Sequence, residues 1–208
     1  MMNSRLYFIY RIIYEIIPSF INCMISGLNF DTSWNIKGHP RIITRAWYDK
    51  LFRGLKGGHI RIGKNFSCFN KVTSNSIGLI QPCIFDVLED NSYIRIGNNV
   101  GISGSTLNAT VSITIEDNVN IGSGCIITDT DSHPLDYTHR IRNDKDFTES
   151  APVIIKEGAF IGARCIILKG VTIGCHSIVG AGSVVSKSIP DNCIACGNPA
   201  RVIKVIES

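Results

Sequence analysis

The chain is short of charge. Only 18% of its 208 residues are Asp, Glu, Lys or Arg, against 44% that are hydrophobic. That balance excludes a disordered chain, and the length is enough for one domain with a full core. Twenty-one basic and 17 acidic residues leave a net charge of +4. The basic residues are scattered rather than gathered in a stripe. No nucleic-acid partner is therefore expected, although the sign suits a small phosphate-bearing ligand. An uninterrupted apolar run is missing too. The nearest approach, residues 6 to 25 ("LYFIYRIIYEIIPSFINCMI"), contains Arg11, Glu15 and Pro18, whereas a membrane span needs about 20 apolar residues with few charges. We expect a helix packed on the protein, with peripheral membrane contact through Tyr7, Tyr10 and Tyr14 as the alternative. No cleavable leader is evident, which places the protein in the cytoplasm, with the inner face of the membrane as the second choice. The eight cysteines are then free thiols in a reducing compartment. Cys193-Ile194-Ala195-Cys196 is a lone C-x-x-C. Zinc would want a second pair, so no metal is expected.

What the chain has is a period of six. Ile155, Ile161, Ile167, Ile173, Val179 and Val185 are β-branched aliphatics in strict register. If about a quarter of residues were Ile, Leu or Val, that run would arise on the order of once in several thousand tries. Four places after each of the first five comes a small or slim residue: Ala159, Cys165, Val171, Ser177, Ser183. The same grammar recurs in Ile115, Ile121, Ile127 and in Ile96, Ile102, with Ile62-Gly63 and Phe66 as a fainter copy. Neither a helix at 3.6 nor plain strand alternation at 2 produces it. A short strand followed by a turn in each hexad does. Three hexads, roughly 18 residues, bring the chain back one strand spacing higher, which is a parallel β-helix. Its core would be the column of inward Ile and Val, with the small residues at cramped corners and each coil burying its face on its neighbours. Residues 1–58 would form an apolar helix and an irregular lead-in. The first coils would span 59–127, a protruding loop 128–152, further coils 153–192 and a terminal tail 193–208.

The loop, "TDTDSHPLDYTHRIRNDKDFTESAP", obeys no period. Insertions leave a rigid β-helix only at its corners, so a long corner loop is where a reactive group would be presented. It holds His133 and His139 among six acidic residues, and so polar a segment is expected to lie against another subunit. His133 is a candidate general base, because imidazole is best matched to taking a proton near neutral pH. Asp131 is the carboxylate nearest in sequence that could hold its tautomer, and Pro134 stiffens the backbone after it. The alternative is a solvated surface histidine.

With the hexads, "SHPLD" at 132–136, "VTIGCHSIVGAGSVVSKSIP" at 171–190 and "GNPARVIK" at 197–204, the chain resembles the left-handed β-helix acetyltransferases over roughly residues 60 to 206. Within them it most resembles the maltose and galactoside O-acetyltransferases and those that modify capsule and lipopolysaccharide sugars. The resemblance implies a left-handed parallel β-helix and a homotrimer with active sites between subunits. It implies acetyl-CoA as co-substrate and direct transfer to a hydroxyl of a sugar or polysaccharide precursor. It makes His133 the base and Ser132 an acceptor contact. Along the C-terminal coils it gives the CoA positions as Ala163, Ala181, Ser186 and Lys187, then Arg201 and Lys204, closed by the tail. One departure stands out. Where the maltose enzymes place an acceptor-binding Asn, this chain reads "VGISGSTLNAT" (100–110), with no Asn in register and Ser103 or Ser105 as replacements.

Three other readings are open on the same residues. One is an acetyltransferase for an amine, serine or antibiotic acceptor. Another is a metal hydratase, which needs three converging His, whereas His39 and His59 precede the main repeats and His176 sits at a turn. The last is a non-catalytic sugar-binding trimer.

Overall fold

A β-branched residue every sixth place, with slim residues between, forces short strands that bury one side chain each and then turn. In the computed structural model the chain is described at residues 12, 13 and 17 and over 31–44, 58–87 and 89–207. Apart from three positions, the apolar segment 6–25 lies outside the described residues. Six coils follow one another. They are β1 (Asn35–Lys37), β2 (Arg41–Thr44) and β3 (His59–Ile62); β4 (Ser67–Phe69), β5 (Ile84–Val87) and β6 (Tyr93–Ile96); β7 (Gly101–Ser103), β8 (Thr106–Asn108) and β9 (Ser112–Ile115). The next are β10 (Asn120–Ser123), β11 (Ile126–Thr128) and β12 (Val153–Ile155), then β13 (Phe160–Ile161), β14 (Ile166–Ile167) and β15 (Thr172–Ile173). The last has β16 (Ile178–Val179) and β17 (Val184–Val185), with Ile189 bridged to Ile173 in place of a third strand. Each member of a coil joins a different sheet, and neighbours within every sheet are parallel until the last strand. The result is the expected left-handed parallel β-helix, a three-faced prism. We call its faces first, second and third in the order in which the chain visits them.

Inside runs one column of side chains. Ile155, Ile161, Ile167, Ile173, Val179 and Val185 are all fully buried, and Ala159, Cys165, Val171, Ser177 and Ser183 fill the corners beside them. Ile161 pairs with Val179, one full coil later. Burying each such aliphatic is worth roughly 1.5–3 kcal/mol. The corners are tight: a Cβ on Gly162 would come within 2.5 Å of the Ala181 backbone nitrogen in the coil above. On the edge between third and first faces, Asn65, Asn99 and Asn118 take up left-handed backbone and chain their side-chain amides from coil to coil at 2.9 and 3.0 Å. Asparagine tolerates that conformation better than most residues.

Two boundaries differ from the sequence expectation. The prism starts at Asn35, so β1 and β2 precede the expected first coil at residue 59. A second excursion, residues 70–83 with a 3-10 turn at Val72–Ser74, leaves the edge between first and second faces. Both have one cause in the spacing: 14 residues separate β2 from β3 in the sequence and 14 separate β4 from β5, so the inward residues of the early coils fall out of six-residue register. Their core also uses different side chains. Trp34 meets Phe66 edge-on at 5.9 Å, and Phe66 tilts against Phe85 at 6.3 Å, plugging the end of the aliphatic column. The residues expected as a tail form a hairpin, β18 (Cys193–Gly197) continuing the first face and β19 (Ala200–Val205) folding back antiparallel on it.

Candidate active site

The long loop leaves β11 and returns at β12, on the edge between second and third faces. Its two ends are zipped together. Thr130 and Ser150 form an antiparallel bridge, Asp131 N donates to Glu149 O at 3.0 Å and Ala151 N to Asp129 O at 2.8 Å. Below, the fully buried Asp129 accepts three backbone N–H groups of the preceding coil, from Thr110 (2.7 Å), Val111 (2.7 Å) and Ser112 (2.6 Å). Burial pushes its carboxyl above the ordinary range, against those donors, which favour the ionised form. Above, Lys169 pairs with Asp131 Oδ2 at 3.0 Å and Glu149 Oε2 at 2.9 Å, so one ammonium spans both ends of the loop. Its hydrogen bond from Lys169 holds Glu149 below the usual carboxylate range, and the same pairing raises Lys169.

Within the loop, Asp136 caps the short helix α1 (Tyr137–Ile141), accepting from Thr138 N at 2.8 Å and His139 N at 3.1 Å. Those bonds, with the Thr138 hydroxyl foremost, lower its carboxyl. Arg140 reaches back to donate to the carbonyls of Pro134 (3.1 Å) and Leu135 (2.6 Å). It thereby fixes the backbone directly after His133, where Pro134 is buried. The two loop histidines divide sharply. His139 stacks on Phe147 at 3.6 Å and meets Asp144 at 3.1 Å, which is a structural placement. His133 is exposed on the single protomer, and its ring has no hydrogen bond or ion pair among the described residues. Asp131, expected to orient that ring, instead faces Lys169 and moors the loop. A carboxylate this close to an ammonium is drawn to the stronger charge.

Beside the loop base lies a cleft of about 440 Å³, walled by Thr130, Ser132, Lys145, Asp146, Thr148 and Ser150 from the loop and by Glu89, Asn108 and Thr110 from the coils. Ser132 therefore lines it, on left-handed backbone (φ 64°) with its N–H donated to Thr130 Oγ1 at 3.1 Å. Thr148 Oγ1 is buried there without a hydrogen-bond partner. Asn108 donates to Asp86 Oδ2 at 3.1 Å and accepts from Thr128 Oγ1 at 3.3 Å. Burial raises the Asp86 carboxyl. An Asn does stand at this site, then, within the stretch 100–110 where register alone showed none. Neither suggested serine reaches the cleft. Ser105 is fully buried and accepts the Cys125 N–H, and Ser103 is buried beside it, so both belong to a coil corner. Asn108, Asp86, Thr148, Arg140 and Lys169 were missed in the sequence. Only the pairing of Asn108 with Thr128 across coils, visible once the coil length is known, could have pointed to one of them.

The expected cofactor positions are all on the C-terminal coils but not in one place. Ala163 and Ala181 stack in successive turns on the edge between first and second faces. Ser186 and Lys187 lie exposed on the opposite edge of the second face, the edge that also carries the loop. Arg201 and Lys204 are exposed on β19. An outward column between the two edges runs Ile84, Thr106, Ile126, Ile166 and Val184, apolar except for Thr106, with Ile126 44% exposed.

Residues 152–187 match the family described as the hexapeptide repeat of succinyl-transferase. The galactoside O-acetyltransferase of Escherichia coli is 36% identical over 126 residues, covering 57% of this chain and 60% of that one. The crystal structure of a maltose O-acetyltransferase from Clostridium difficile superposes with a TM-score of 0.52 at 31% identity, covering 73% of this chain and 69% of the other. The aligned segments span between 38% and 60% of the length of the curated relatives.

Proposed function

The chain belongs to the hexapeptide-repeat acetyltransferase superfamily, and on that premise we propose that it transfers acetyl from acetyl-CoA to a hydroxyl of a sugar or polysaccharide precursor. The carrying observation is the loop moored from both sides, by Asp129 below and Lys169 above, beside a polar cleft. A segment held so firmly at its base presents His133 at a defined place while leaving the ring itself unencumbered. Ser132 and the Asn108–Asp86 pair supply donors and acceptors for sugar hydroxyls in the cleft. His133 takes the acceptor's proton as the hydroxyl oxygen attacks the thioester carbonyl. Backbone N–H groups stabilise the tetrahedral oxyanion. The C–S bond then breaks, and His133 returns its proton to the departing thiolate, leaving an acetyl ester and free CoA.

Acetyl-CoA would run past Ala163 and Ala181, whose small side chains let a pantetheine arm lie against backbone. Ser186, Lys187, Arg201 and Lys204 would meet its phosphates and adenosine, with the terminal hairpin closing the groove. These groups lie on two edges of one prism and on its last hairpin, so the complete site is assembled between subunits of a homotrimer. The largely apolar column from Ile84 to Val184, polar only at Thr106, supports such an assembly. Peripheral membrane contact through residues 6–25 and a cytoplasmic location belong to the same proposal; among the described residues no helix is long and apolar enough to cross a membrane. The test is thiol release from acetyl-CoA over a panel of sugars. His133→Ala is expected to lose about a hundred- to ten-thousand-fold in turnover while keeping its affinity for CoA. Turnover at the wild-type rate in that variant ends the assignment.

A further inference from the structure

A second cleft, about 210 Å³, opens on the third face and is lined by His59, Arg61, Tyr93, Ile94 and Arg95. Its charges are placed against the ordinary rule for sheets. Arg61 of β3 and Arg95 of β6 are direct partners in a parallel ladder, as are His59 and Tyr93. Like charges opposite one another destabilise a sheet, and neither guanidinium forms an ion pair with a described residue. Both are exposed, and Tyr93 is 40% exposed. The next outward pair up the face is Ser112 and Thr114, which brings no acid to relieve them. Two planar forks carried on strands about 4.8 Å apart offer paired N–H donors to an anion that carries more than one charge and several oxygens. A carboxylate would leave a positive charge uncompensated, whereas a phosphate monoester or diphosphate matches both.

The cleft also sits where an acceptor would pass. His59 and Tyr93 open β3 and β6 on the edge between second and third faces, from which the long loop emerges. Glu89, in the wall of the loop cleft, is four residues before Tyr93. β6 lies two rungs below β12, where the loop rejoins the prism, a distance of about 10 Å. We propose that the Arg61–Arg95 cleft binds a phosphoryl group and that the acceptor carries it. The acceptor role rests on the acetyl-transfer reading; the binding does not. The acceptor class is then a phosphorylated or diphosphate-linked sugar, either soluble or attached to a lipid.

Calorimetry on the full chain with inorganic pyrophosphate tests the binding. Arg61→Gln and Arg95→Gln are each expected to weaken it about tenfold or more, the double variant to abolish it, and Lys64→Gln to leave it unchanged. Absence of pyrophosphate binding to the wild type at millimolar concentration, or equal binding by the double variant, overturns the site. Removing a like-charge pair should leave the melting temperature at or above that of the wild type. If the Gln variants melt lower, Arg61→Lys with Arg95→Lys carries the test, and wild-type affinity there overturns the paired-fork geometry. CoA affinity, measured in the same samples, should be untouched by the double variant; its loss would reassign the cleft to the cofactor and overturn the acceptor role. A wild type that binds pyrophosphate but not CoA refutes acetyl transfer and leaves the cleft standing. Vesicles of phosphatidic acid in phosphatidylcholine separate the sources. Capture competed by pyrophosphate marks a lipid-borne group, and no capture with pyrophosphate binding intact marks a soluble one. Capture that pyrophosphate does not compete, yet the double variant loses, means the arginines read a charged surface and overturns the proposal.

Discussion

Asp129 shows how much one side chain can fix. It is fully buried, no cation touches it among the described residues, and its two oxygens take three successive backbone N–H groups. Replacing one oxygen with an NH2, as in Asp129→Asn, sets donor against donor and orphans a buried N–H. Such a group costs on the order of 1–3 kcal/mol, a loss that denaturant unfolding would register directly. Asn108 is the complementary case, placed by the coil but facing the cleft. Asn108→Ala should raise KM for the acceptor several-fold with KM for acetyl-CoA unchanged, because the carboxylate of Asp86 loses its partner on the acceptor side only. Equal rises in both constants would show a general distortion of the loop instead.

At the scale of the element, the loop is a lever clamped at its base. Glu149 is held below its ordinary pKa by Lys169, so its contribution is present above about pH 4.3 and disappears as pH falls through the lowered value. Lys169 is raised, so its contribution is present below about pH 10.4 and disappears as pH climbs through the higher value. Amide exchange of residues 130–150 should therefore quicken at both extremes while the coils stay protected. In Lys169→Met it should be quick throughout, and an unchanged loop in that variant would show the clamp to be idle. The same scale explains what was legible in the sequence. Where the coil is uninterrupted, as from Ile155 to Val185, spacing alone gave strands, register and buried corners. Around β1 to β5 the insertions hid the period, and the Trp34–Phe66–Phe85 plug follows no repeat. His133 could be proposed as a base because a polar loop in a strict repeat is conspicuous. Its supports could not, since Asp129, Lys169 and Asn108 meet their partners only after coils of unequal length are stacked.

For the whole molecule the question is whether one protomer suffices. The second face separates the Ala163–Ala181 edge from the loop edge by an outward column of Ile84, Thr106, Ile126, Ile166 and Val184. A cofactor lying beside Ala163 and Ala181 is thus across a face from the His133 of its own chain, and within reach of a neighbour's loop if the prisms pack side by side. In a closed ring each interface then draws its base from one subunit and its cofactor wall from the next. Two inactive variants can be made on this logic: His133→Ala, which lacks the base, and Ala181→Trp, which obstructs the cofactor wall. Unfolded together and refolded at equal concentration, they would pair at random. Roughly a quarter of interfaces would join an intact His133 to an intact Ala181, so about a quarter of wild-type activity should return. A site built within one chain would recover nothing, because every chain in the mixture carries one lesion. Static light scattering of the refolded mixture, giving three times the 22.9 kDa chain mass, checks that the recovered activity belongs to trimers.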